Sequence, residues 1–280
     1  MTRSVGFRPW DRPRRGWNSA SACMVSDHEF MLLAYGKSPF LADCLASLKS
    51  QSVPANIRIS TSTPSSYIDR LAERHGVEVV VNPLRSGIGR DWNFALEHAS
   101  RRYVTLAHQD DIYRPDFLSQ TLKLFARRPE AGLCFTSYDQ VDDEGRVTWS
   151  KLSLVKHALE RTIIGSQEHI LPARMKWFLS FGNPLPCSSV TFDMQQLEGF
   201  RFSESFASNL DWEAWLRLCR QQTSFLHASA RLIGRRHNDL TETSKLIRDG
   251  RRRTEDREMF RRTWVRPLDR AMAYVYSAAY

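Results

Sequence analysis

The stretch RYVTLAHQDDIYRPDF, Arg102–Phe117, decides the fold. Tyr103, Val104, Thr105, Leu106 and Ala107 form a short run suited to a buried strand. The run stops at two adjacent acids, Asp110 and Asp111, and Pro115 marks the start of the next element. A brief apolar run bounded by turn residues reads as a strand inside a sheet. Strand ends are solvated and Asp suits turns, so the acids fit a plain loop. They equally fit a site for a divalent metal.

Working outward, the same alternation recurs on both sides. EFMLLAY reads as a first strand, and SPFLADCLASLKSQ follows with Phe40, Leu41, Cys44, Leu45 and Leu48 at helical spacing. NIRIS is a strand, YIDRLAERHG a helix ended by Gly76, and VEVVV a strand. SGIGRDWNFALEHA is a glycine-bearing turn running into a helix. PDFLSQTLKLFARR is the helix after the opening stretch, GLCFTSY a fifth strand and DDEGR a hairpin-like turn. Strands alternating with helices of this length predict βαβ units and a mostly parallel sheet flanked by helices. In such sheets ligands bind beyond the carboxyl ends of the strands, which is where Asp110 and Asp111 fall.

The second half is less regular. GNPLPCSSVTFD contains a strand, DWEAWLRLCRQ is an amphipathic helix with Trp212, Trp215, Leu216 and Cys219 as its buried stripe, and ARLIGRRH is another strand. From Lys245 to Tyr280 the chain is predicted helical, with Phe260, Trp264, Leu268 and Met272 four apart and a break or kink at Pro267.

Composition narrows the classes. The 280 residues are 42% hydrophobic and 25% charged, ordinary for a soluble enzyme. No run approaches the ~18 apolar residues of a membrane span, and the basic start MTRSVGFRPWDRPRRGWNSASACMV lacks the apolar block of a secretory signal, so a cytoplasmic protein is expected. The five cysteines, Cys23, Cys44, Cys134, Cys187 and Cys219, show no metal spacing and read as reduced core residues. A net charge of +9 is concentrated in arginines near the two ends. Such charge suits nucleic acid, an anionic membrane surface or a phosphate-bearing ligand. No zinc-finger or RNP-type motif accompanies it, which argues against nucleic acid as a partner.

Four places carry chemistry. HQDD offers carboxylates to a hard cation such as Mg²⁺ or Mn²⁺, which takes oxygen ligands and holds substrate phosphates as well. RSGIGRDWN is not the GxGxxG fingerprint, so a dinucleotide fold is not expected. Asp211 stands at the entrance of its helix. With Ser208 three residues earlier it reads either as part of a capping box or as a general base on a rigid helix start. His237 follows a strand among arginines, as a surface residue or as a further metal ligand.

The order of YGKSP after the first strand, QDD at a later strand end, LDWEAWLRL and then RRHNDLT resembles the family 2 glycosyltransferases, inverting enzymes of the GT-A fold, over residues 29–243. The resemblance implies a nucleotide-sugar half at 29–140 and an acceptor half at 141–243. It leaves a basic, poorly ordered extension at 1–28 and a basic amphipathic helical tail at 244–280. It implies a Mn²⁺ or Mg²⁺ cofactor on Asp110, Asp111 and His237, and donor contacts from Tyr35, Arg90, Asp91, Asp110 and Asp111. Asp211 is implied as the catalytic base, GNPLPCSSV as the acceptor-side segment, and Arg90 as an arginine that helps neutralise the diphosphate. The chain departs from the family pattern at TSTPSS, where an acid pair is usual, at His108 in place of an Asp, and at Leu210 in place of an acid.

The implied partners are a nucleotide-sugar donor and a saccharide or lipid-linked acceptor, in building a polysaccharide or glycolipid of the cell envelope. The tail is expected to lie on the inner membrane face, to pair with a second subunit in a homodimer, or to pack back on the domain. The other reading is a non-catalytic nucleotide- or sugar-binding subunit on the same fold.

Overall fold

The computed structural model describes residues 27–84, 87–236 and 250–278. Six elements build the first layers: β1 (His28–Ala34), α1 (Leu41–Lys49), β2 (Asn56–Thr61), α2 (Ser66–His75), β3 (Glu78–Val81) and α3 (Ile88–His98). β4 (Tyr103–His108), β5 (Ile112–Tyr113) and α4 (Phe117–Arg127) come from the stretch that opened the reading. The second half supplies β6 (Leu133–Val141), β7 (Val147–Thr148), α5 (Lys151–Leu159), β8 (His169–Ile170), α6 (Pro172–Leu179) and β9 (Val190–Asp193). α7 (Leu210–Arg220), β10 (Phe225–Arg236), α8 (Arg251–Arg261) and α9 (Leu268–Ser277) complete it.

One ten-stranded sheet runs β3-β2-β1-β4-β9-β6-β10-β5, with β7 on β6 and β8 on β10. The first four strands are parallel, with Leu32 opposite Ile59 on one side and Ala107 on the other. Beyond β4 the sheet is mixed. β9 enters antiparallel between β4 and β6, and β10 returns to run parallel to β6. The expected parallel sheet therefore holds for the first half, and a reversed strand joins it to the second. This insertion follows from the irregular chain between β6 and β10, which brings β9 back without a full βαβ crossover.

Alternation along β1 sends Phe30 and Leu32 to one face and Met31 to the other. The first face packs on α1, α2 and α4 through Leu45, Ile68 and Phe125. The second packs on α3, α6 and α7 through Trp92, Phe178, Trp212 and Trp215. Helix ends follow their local signals. Ser65 caps α2 by accepting from Ile68 N, and Gly76 ends it in the left-handed conformation at φ 57°.

The tail packs back on the domain. Met259 and Phe260 of α8 are buried against the second face, and Trp264 donates its indole N–H to Ser180 O at 2.7 Å. The break expected at Pro267 separates α8 from α9. Gly182, at φ 132°, leaves the space that the Tyr276 ring of α9 fills; a Cβ there would collide with the ring. α8 also completes α7. The Glu255 carboxylate accepts from Ala207 N at 2.7 Å, Ser208 N at 2.9 Å, Ser208 Oγ at 3.1 Å and Asn209 N at 3.0 Å. The capping box expected from Ser208 is thus absent, because the Ser208 hydroxyl donates to Glu255 and Asn209 holds the N-cap position.

Replacing Glu255 by Ala leaves three backbone donors at a buried helix start without an acceptor. Loss of such a cap costs about 2 kcal/mol. The urea midpoint of Glu255→Ala should fall accordingly with an unchanged slope, and an unchanged midpoint would show that water replaces the carboxylate.

Candidate active site

The carboxyl ends of β1, β2 and β4 and the starts of α3 and α7 open into one cleft of about 680 Å³. Among the described residues, four carboxylates line it: Asp91, Asp110, Asp111 and Asp211. Lys37, Lys156, Arg235, Arg236 and Arg252 line it as well.

The turn after β4 is pinned from both sides. The Gln109 amide makes a reciprocal pair with the Tyr35 backbone: Tyr35 N donates to Oε1 at 2.9 Å and Nε2 donates to Tyr35 O at 3.1 Å. Across the turn, Arg236 N donates to Asp111 Oδ1 at 3.3 Å, and the Arg236 guanidinium reaches Asp110 O at 3.4 Å and Asp43 Oδ2 at 3.1 Å while lying over the Phe40 ring. Arg236 is thus a staple between β10 and the acid turn. Tyr35, expected at the donor, is exposed at the cleft mouth.

His108, Asp110 and Asp111 each offer a ligand atom, and these lie within 4.8 Å of one another. His108 Nε2 is buried without a hydrogen-bond partner. Burial, with Arg235 adding to it, pushes the imidazole down to about 4 against the opposing pull of Asp110, so the ring is neutral and free to ligate at pH 7. Burial and the neighbouring Asp110 push Asp111 up to about 7, a cost that a cation between the two carboxylates would remove. Two oxygens and an imidazole nitrogen suit Mn²⁺ or Mg²⁺, and the orphaned nitrogen fits such an ion. The Asp-to-His change at position 108 thus exchanges one donor atom for another. His237, the further ligand expected from sequence, lies outside the described residues.

Asp91 projects from the first turn of α3. Its carboxylate accepts from Ser62 Oγ at 3.0 Å and Asn82 Nδ2 at 2.9 Å, and burial raises its pKa against these bonds. A carboxylate therefore does stand beside the end of β2, supplied by α3 where the segment TSTPSS has none. Arg90 faces elsewhere. It pairs with Glu204 at 2.6 Å on the surface and does not line the cleft. Its neighbour on the helix turns inward, so an adjacent residue turns away.

Asp211 is recessed in the cleft wall at the start of α7. Oδ1 accepts from Trp212 N at 2.8 Å, and the Asn183 side chain bonds the carboxylate too. Burial raises its pKa, opposed by Arg252, these bonds and Arg235. Asn183 is set by tryptophans: Trp212 donates to Leu179 O at 3.0 Å and Trp215 to Leu185 O at 3.3 Å, on either side of it. The same stripe that forms the core thus fixes the partner of the acid.

None of the cleft's cations was among the residues expected at the site. Burial, then Arg235 and Arg252, push the Lys156 amine down to about 7. Arg235 acts on the protonation of His108, Asp111, Lys156 and Asp211, which places it between the acid turn and α7. Among the described residues it has no acid within ion-pair distance. The RRH triplet held the signal for Arg235. Lys156 sits in a stretch without periodicity, and Arg252 is one arginine in a run.

The sequence profile of Glycosyl transferase family 2 matches residues 30–182, more than half of the chain, and the chain belongs to that family. No curated protein matches it. Among solved structures it is similar to Staphylococcus aureus TarS 1–349 in complex with UDP-GlcNAc, at 13% identity and TM-score 0.61, over 83% of this chain and 65% of that one. It is also similar to the mannosyltransferase PcManGT from Pyrobaculum calidifontis in complex with GDP-Man and Mn²⁺, at 14% identity and TM-score 0.58, over 90% and 69%. A third is glucosyl-3-phosphoglycerate synthase from Mycobacterium tuberculosis with Mn²⁺ and UDP-Glc, at 15% identity and TM-score 0.55, over 85% of each chain. The chain spans 61% of the TarS fragment seen with UDP and 37% of the longer TarS chain. These likenesses establish the GT-A fold.

Removing a metal ligand outright should weaken binding at least as much as removing a supporting group, which costs about tenfold or more. Asp110→Ala and His108→Ala should each raise the Mn²⁺ dissociation constant by at least about tenfold in a calorimetric titration. Equal affinities in wild type and both variants would remove the metal from this turn.

Proposed function

We propose that the chain is an inverting, metal-dependent glycosyltransferase. It moves a sugar from a nucleoside diphosphate to a hydroxyl of a saccharide or lipid-linked acceptor, with Asp211 as general base. One observation carries the reading: a recessed carboxylate of raised pKa, oriented by Asn183, shares its cleft with the cation-ready cluster of His108, Asp110 and Asp111. The nucleotide-sugar complexes of TarS, PcManGT and the glucosyl-3-phosphoglycerate synthase support the donor class. The non-catalytic reading rested on missing acids. His108 and Asp91 supply donor atoms at two of those places, and catalysis is the reading favoured.

Asp110, Asp111 and His108 would hold the metal, which when bound neutralises charge on the diphosphate leaving group. His237 remains a candidate for the same ion. Asp91, with Ser62, offers acceptor and donor atoms to the nucleoside beside β2, and Asn82 holds the Asp91 carboxylate from behind. Arg235, rather than Arg90, provides the free guanidinium for the diphosphate. Asp211 takes the proton of the acceptor hydroxyl as its oxygen bonds to the anomeric carbon. The bond from that carbon to the diphosphate oxygen breaks on the opposite face, and the anomeric centre inverts. Burial makes Asp211 a stronger base than an exposed carboxylate, and the Trp212 N–H and Asn183 amide hold it in one orientation.

The donor half is tested by thermal shift with nucleoside diphosphates and their sugars, with and without Mn²⁺. A ligand that binds the native state raises the melting temperature. One nucleotide should give a metal-dependent rise that Asp110→Ala abolishes, and no rise with any of them would count against the enzyme reading.

The base is tested by Asp211→Asn. The turnover rate should drop about 100-fold or more. The melting temperature at pH 7 should rise, because a carboxyl whose folded pKa exceeds its unfolded one loses stability as pH climbs between the two, and Asn carries no such penalty. In wild type the acid limb of kcat/KM should lie above the ordinary carboxylate range. A variant that keeps wild-type turnover would remove Asp211 from the chemistry.

A further inference from the structure

A second concavity lies between α8 and α9, on the side of α8 away from the cleft. It measures about 820 Å³ and is lined by five arginines: Arg253, Arg257 and Arg261 on α8, Arg266 before α9 and Arg270 on it. The spacing of 253, 257 and 261 puts three guanidinium stems on one stripe of a helix. Three of the hairpin's acids are engaged elsewhere: Glu255 and Asp256 turn inward to Ser208 and Asn209, and Glu258 pairs with Arg261 and Arg262. Asp269, almost fully buried, lines the floor of the concavity as its one acid against five arginines. Among the described residues, no acid lies within ion-pair distance of Arg253, Arg257, Arg266 or Arg270.

Beside the arginines runs an apolar ridge. Leu268, Ala271 and Val275 form an exposed stripe of α9. Val265 is 75% exposed, Tyr274 76% and Val275 66%. Trp177 of α6, also exposed, continues the ridge through its ring contact with Trp264. Uncompensated arginines alone would suit any polyanion. Arginines flanking a strip of exposed aliphatic and aromatic side chains suit a surface that is anionic outside and apolar just beneath.

We propose that the α8–α9 face docks on an anionic phospholipid membrane, with the groove arginines on lipid phosphates and the Val265–Leu268–Val275 ridge entering the acyl boundary. No helix among the described residues is long and apolar enough to cross a membrane, and peripheral docking needs none. The inner face of the same helix carries Arg252 into the cleft and Glu255 to the start of α7. Docking would therefore hold the acceptor half of the cleft one helix diameter from the lipid. The proposal does not depend on which donor the cleft takes.

Co-sedimentation of the full chain with vesicles tests it, using phosphatidylglycerol–phosphatidylcholine mixtures against phosphatidylcholine alone. Wild type should pellet with the anionic vesicles, less as salt rises, and stay in solution with the neutral ones. Each basic residue near such a surface contributes enough that Arg253→Ser/Arg257→Ser should bind about 30-fold more weakly. Val275→Asp should bind more weakly while a metal-dependent donor shift, if present in wild type, is kept. All these side chains are exposed, and both variants should melt as wild type does. Equal pelleting on neutral and anionic vesicles would overturn the proposal. So would undiminished binding of the double variant, which would move the contact to the basic residues before Asp27. Tighter binding to duplex nucleic acid than to vesicles, lost in the double variant, would assign the groove to a different polyanion.

Discussion

A carboxylate drawn out of water must be given donors or a cation, and the cleft draws in four. Three of them are settled in different ways. Asp91 receives two side-chain donors from the end of β2 and its neighbourhood. Asp111 receives a backbone N–H from Arg236, and burial beside Asp110 still raises its pKa. Asp211 keeps Asn183 and Trp212 N, with Arg252 and Arg235 acting from nearby, and burial still leaves its pKa raised. The sheet order, the return of β10 beside β6 and the docking of α8 all serve to bring donors to these groups.

Core and site are one construction around Asp211. Three tryptophans donate to carbonyls of the segment between α6 and β9: Trp212 to Leu179, Trp264 to Ser180 and Trp215 to Leu185. Their rings lie in the apolar core or packed against it, and their N–H groups hold the backbone that presents Asn183. A buried indole pays for its size only when its N–H finds an acceptor. Here those acceptors are the backbone carbonyls around the residue that orients Asp211.

The first half of the fold was legible because each element carried its own signal. Phe40, Leu41, Cys44, Leu45 and Leu48 drew one helix face, Gly76 its neighbour's end, and the apolar run before His108 a central strand. The family order of motifs pointed to Asp110 and Asp211, and both line the cleft. What stayed hidden depends on contacts between segments distant in the chain. Ser208 looked like a cap until Glu255, from the tail, took its hydroxyl. Arg90 and Asp91 were adjacent candidates, and helix geometry sends only one inward. His108 read as a lost ligand, because a residue type says nothing of whether its nitrogen will be buried without a partner. Lys156 left no trace, since its stretch shows neither period nor motif.

The cap on α7 has a consequence for the order in which the molecule is made. The strands of the parallel layer, β1 to β4, use residues up to 108 and are synthesised well before α7 and α8, so their mutual pairing can begin first. The start of α7 cannot, because its acceptors are Glu255 and Asp256. A growing chain thus acquires the β1–β4 strand ends well before the helix bearing Asp211 is fastened. The α8–α9 hairpin acts as the closing stitch, without which the wall of the cleft formed by α7 is left unfastened.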